Sequence, residues 1–85
     1  MNQDELYRLR GEQVTLQTEQ REIAGQIEAE RVALQALTNR LHPGRGIKTG
    51  WLDAEVARVR RLHQLAERYR AIDERLDELR PVTGI

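Results

Sequence analysis

Cysteine, serine and phenylalanine are missing from this 85-residue chain, and its aromatic residues are three: Tyr7, Trp51 and Tyr69. Without cysteine there is no disulfide framework and no thiolate metal site, so stability has to come from packing. Without serine or cysteine the usual nucleophiles are gone, and the threonines have no recognisable base beside them. His42 and His63 fall on different elements, with no HxxxH or ExxH pair on one helix face, so no metal site is expected. No apolar run approaches the roughly 18 residues that a membrane span needs. The opening Met-Asn-Gln-Asp-Glu has neither a basic n-region nor an apolar h-region. The expectation is a soluble, unprocessed, cytoplasmic protein with no enzymatic activity and no cofactor.

What the chain does have is Glu, Gln, Arg, Leu and Ala, the residues that favour helix. Charged residues make up 33% of it, too many for a compact globular core. Arginine outnumbers Lys48, the single lysine, which suits a GC-rich bacterial or phage genome. From Leu6 to Leu41 the apolar side chains fall on one unbroken seven-residue grid. Its a positions are Leu6, Gln13, Gln20, Ile27, Leu34 and Leu41, and its d positions are Asn2, Leu9, Leu16, Ile23, Glu30 and Leu37. Unbroken heptads of this length mark a coiled coil rather than an ordinary surface helix. Asn2 followed by Glu5 has the spacing of a capping box at its start.

His42 precedes Pro43 and is pushed out of the α region, so the first helix should end near residue 41. The segment from His42 to Thr49 is the clear breaker, with Thr49 expected as the N-cap of a second helix over about 50–80. That helix reads Leu52, Val56, Val59, Leu62, Leu65, Tyr69, Ile72, Leu76, Leu79. The steps of three between Val56 and Leu65 predict one phase slip, a stammer. Pro81 should stop it, leaving 81–85 frayed. The fold class is therefore all-α, one domain: an antiparallel two-helix coiled-coil hairpin, dimerising into a four-helix arrangement.

Antiparallel packing across the turn predicts Leu37 opposite Val56, Leu34 opposite Val59 and Leu16 opposite Leu76. Gln20 falls near Asp73, and Glu30 forms a polar seam pair with His63. The first helix would overhang at its start, leaving Leu6, Tyr7 and Leu9 without a partner inside the chain. Gly25, Ala29, Val32 and Ala36 make a second, small-residue face suited to close approach. With Leu6, Tyr7 and Leu9, they are the expected dimer or partner face.

Net charge is zero but unevenly spread: residues 40–70 are basic, and both flanking parts are acidic. Folded at the middle, the chain becomes a rod with a basic tip and an acidic open end. Arg45, Lys48 and Trp51 at that tip are the expected partner-binding residues, since Trp and Arg dominate interface hot spots. Arg58, Arg60, Arg61, Arg68 and Arg70 spread round more than half of the second helix with acids among them, which reads as a solvated face rather than a phosphate-tracking stripe.

Pro43-Gly44-Arg45-Gly46-Ile47-Lys48-Thr49-Gly50 resembles the turn of the helix-hairpin-helix family, which grips a DNA phosphate through backbone N–H groups. The resemblance implies phosphate contacts at Gly44, Gly46 and Lys48. Arg45 stands where the family has a hydrophobic plug, and Gly50 replaces a small helix former. Trp51 with Tyr69 and Asp73 in a YxxxD spacing also resembles secreted WXG-type hairpins, although Trp51-Leu52-Asp53 lacks their glycine.

The expected function is a non-enzymatic protein–protein interaction module, a small adaptor or phage-type inhibitor that occludes a partner protein. Its partners are itself and one unidentified protein. The alternative is a nucleic-acid-binding hairpin that uses the basic tip.

Overall fold

The computed structural model describes residues 2–41, 46 and 48–84. Two helices make up the fold: α1, Gln3–Arg40, and α2, Thr49–Thr83. They lie antiparallel along a rod of 66 × 15 × 14 Å. The all-α antiparallel hairpin read from the heptads is the architecture found. Asn2 caps α1 as the capping-box spacing predicts: its side chain accepts from the Glu5 N–H at 2.7 Å. Asp4 and Glu5 in the first turn complement the positive end of the helix dipole.

Every a and d position of α1 from Leu6 to Leu41 is at least half-buried. Ile23, Leu65, Ile72 and Leu76 form the core, with Leu16 and Ile27 packed against it. Each such side chain contributes about 1.5–3 kcal/mol when fully buried. Cross-helix polar partners have residue numbers that add to between 87 and 93. The two helices are therefore level where the numbers add to about 90, and long side chains reach a turn to either side. Gln20 Nε2 donates to Asp73 Oδ1 at 3.2 Å, where the sequence register had placed the pair.

Three expectations for α2 are corrected. The expected stammer is absent. Apart from Arg75, which is half-buried beside the seam, the buried or half-buried positions are Trp51, Glu55, Leu62, Leu65, Ile72, Leu76, Leu79 and Thr83, and they fall on a single heptad grid. Arg58 and Tyr69 complete that grid and are more exposed. Leu52, Val56 and Val59 consequently stand beside the seam and not in it, between 42% and 50% exposed. Val56 and Val59, expected in the seam opposite Leu37 and Leu34, thus lie at its side. Burying the strong lower half, Leu65 to Thr83, fixes the phase of the helix, and a stammer would cost overwound turns to rescue three side chains near the tip.

Pro81 does not end α2. Its locked φ is compatible with helix, and it forfeits one N–H only in the last turn. Thr83 is buried, its Oγ1 donating to the Leu79 carbonyl at 3.0 Å, and Gly84 in the left-handed region closes the helix with its N–H on the Arg80 carbonyl. The three added residues bring α2 level with the first turns of α1. Leu6 and Leu9 are accordingly half-buried rather than overhanging, while Tyr7 stays exposed. At the other end, Lys48 is the residue preceding α2, and Thr49 is its first helical residue, with no side-chain cap.

Candidate functional site

One edge of the seam is a ladder of charged rungs. Glu12 takes both Arg75 Nε and Nη2, at 2.7 and 3.1 Å. Glu19 takes Arg68 in the same two-pronged way, at 2.9 Å each. Gln26 Oε1 accepts from Arg61 at 3.3 Å. The α1 members are seven residues apart, as are the α2 members, so one edge of each helix supplies the whole ladder. The paired guanidinium holds Glu12 below the usual carboxylate range, and Arg68 does the same to Glu19. Hydrogen bonding from the arginine to the ionised form is the larger cause in both cases.

Glu30 binds Arg58 at 2.9 Å. The seam pair expected between Glu30 and His63 does not form. Leu62 and Leu65 take the seam positions and turn His63 outward, where it lies 3.3 Å from Glu67 on its own helix. Arg58, Arg61 and Arg68, expected as part of a solvated basic face, are thus tied to α1. Two of the arginines in the middle of the chain, Arg58 and Arg68, thereby answer acids of its first half.

At the tip, Trp51 is half-buried on the seam grid, and the Lys48 ammonium sits over its ring at 5.4 Å from the centroid, a cation–π contact. Arg45, the third expected tip residue, lies outside the described residues, as do His42, Pro43, Gly44 and Ile47 of the turn. Glu55 shares the seam near Trp51: its Oε1 accepts from Thr38 at 3.2 Å, while Oε2 is buried without a partner among the described residues.

Sequence reasoning missed the groove this arrangement opens. Leu41 from α1 and Leu52, Glu55, Val56, Val59 and Arg60 from α2 line an open, mainly apolar trough of about 570 Å³. The signal was present: Leu52, Val56 and Val59 keep helical spacing among themselves but lie one position off the grid running back from Thr83 and Leu79. On the opposite side of the rod, Gly25, Ala29, Val32 and Ala36 are all exposed along the back of α1, with open space where a Cβ on Gly25 would stand. Among the described residues no group of His, Cys, Asp and Glu gathers that could hold a metal ion, and neither helix is long and apolar enough to cross a membrane.

Comparison with protein-family models, with curated proteins and with solved structures found no match.

Proposed function

We propose that the chain is a non-enzymatic protein-interaction module, a small adaptor or phage-type inhibitor that covers a site on another protein. It works in the cytoplasm as a homodimer of hairpins in a four-helix arrangement. The observation that carries this reading is apolar exposure on both outer faces of a rod whose inner seam is already filled. Leu52, Val56 and Val59 on α2, and Tyr7, Val14 and Val32 on α1, are each between 42% and 61% exposed. Such side chains at helical spacing on a highly charged chain are what protein interfaces use. The tip set of Arg45, Lys48 and Trp51 belongs to the same proposal as a contact for the partner.

The nucleic-acid alternative has less support, because Arg58 and Arg68 are engaged with α1 carboxylates and Arg61 with the Gln26 amide, which breaks up any continuous phosphate-tracking stripe. Two measurements on the full chain decide between the two readings. The expected results are negligible binding to duplex DNA at low salt, and retention of a specific protein from extract that is lost in a Tyr7→Asp/Val32→Asp variant of unchanged helicity. Duplex binding whose affinity falls steeply as salt rises would overturn the proposal.

A further inference from the structure

The trough beside the tip carries more than the general reading, on which it rests. We propose that it is the homodimer contact: the α2 helices of two copies lie antiparallel across Leu52, Val56 and Val59, about a two-fold axis passing between Val56 and Ala57.

The argument for a second copy as occupant is charge. Asp53 and Arg60 are seven residues apart and share one edge of α2, a step round the helix from the apolar stripe and on the side away from the seam. Both are exposed, and neither has an ion-pair partner among the described residues. When two helices pair antiparallel, matching edges meet. An axis between Val56 and Ala57 then brings Asp53 of each copy level with Arg60 of the other, two symmetric ion pairs flanking an apolar centre. A parallel, in-register pairing would instead put the Asp53–Arg60 edges of the two copies on opposite sides of the contact and leave all four charges without these partners, so the charges select the antiparallel orientation. The stripe is nearly centred on the same axis, and Leu41, which borders the trough, closes its α1 side.

The contact also accounts for the break in α2's apolar pattern. Leu62 onward serves the intramolecular seam, and Leu52 to Val59 serve the second copy. One helix thereby carries two apolar stripes that hand over between Val59 and Leu62. Nothing in this contact requires the hairpin itself to change, since the three side chains are already outside the seam.

Sedimentation equilibrium of the full chain, alongside far-UV circular dichroism, tests it. The wild type is expected to be dimeric at micromolar concentration, and Val56→Arg to be monomeric with its helicity kept. Arg60→Asp should weaken the dimer about tenfold, because two attractions become two repulsions. Asp53→Arg should do likewise, and the doubly reversed Asp53→Arg/Arg60→Asp chain should recover most of the loss. Since the chain has no cysteine, Val56→Cys provides an independent readout: under mild oxidation it should form a disulfide-linked dimer, whereas Val32→Cys should not. A wild-type dimer indifferent to Val56→Arg and to both charge reversals would overturn this contact while leaving the dimer reading in place. A wild-type monomer at 100-fold higher concentration would overturn both.

Discussion

Gln13 is the residue whose chemistry and position disagree most. It occupies an a position, is 2% exposed, and its Oε1 has no partner among the described residues. A buried amide oxygen left open costs about 1–3 kcal/mol, and polar residues at such positions set register at the expense of stability. Gln13→Leu should therefore raise the midpoint of thermal unfolding by several degrees, corresponding to about 1 kcal/mol or more. A lower midpoint would show that the amide is satisfied in solution. The sequence identified Gln13 as a polar seam residue but could not say how deeply it lies, because depth depends on how α2 packs over it, which local pattern does not fix.

At the scale of the element, α1 was legible nearly to the residue. Its heptads, its Asn2 cap and its end near residue 41 all follow from local rules that tertiary packing does not contest. The second helix was less legible, since two apolar stripes share it and a single-stripe reading turns their handover into a phase slip. Its end was hidden for a related reason. Proline is a local stop signal, yet burial of Leu79 and Thr83 outweighs one missing hydrogen bond in the final turn. Removing residues 81–85 should therefore destabilise the hairpin by about 1–3 kcal/mol in chemical denaturation. An unchanged midpoint would mean that these residues are frayed after all.

The ladder between the helices gives the pH dependence. Glu12 and Glu19 have folded-state pKa values below their ordinary ones, so the stability they add is complete above the unfolded carboxylate range. It is lost as pH falls from about 4.5 through their depressed values. The partner arginines are shifted upward, beyond any pH reached in practice. Between pH 7 and pH 3 the Glu12→Gln/Glu19→Gln chain should lose less thermal stability than the wild type. An equal or larger loss would contradict the assignment. The ladder was readable in principle: Glu12, Glu19 and Gln26, like Arg75, Arg68 and Arg61, recur every seven residues. Choosing their register, however, needed the true phase of α2.

For the molecule as a whole, charge and apolar surface now have separate roles. Opposite charges on α1 and α2 hold the antiparallel register, and apolar side chains outside the seam remain exposed for contacts with other chains. The candidate site followed less directly from sequence than the fold did. Tyr7 and the small residues on the back of α1 were identifiable from spacing. Leu6 and Leu9 belong to the seam, and the α2 trough appears only once Leu52, Val56 and Val59 are known to lie outside it.

Thiol labelling of single-cysteine variants across α2 tests that placement most directly. At chain concentrations low enough to keep the protein monomeric, Val56→Cys and Val59→Cys should react at least about tenfold faster than Leu65→Cys, which sits in the core. Rates at residues 56 and 59 as slow as at 65, at every dilution, would put these side chains back in the seam and contradict the account.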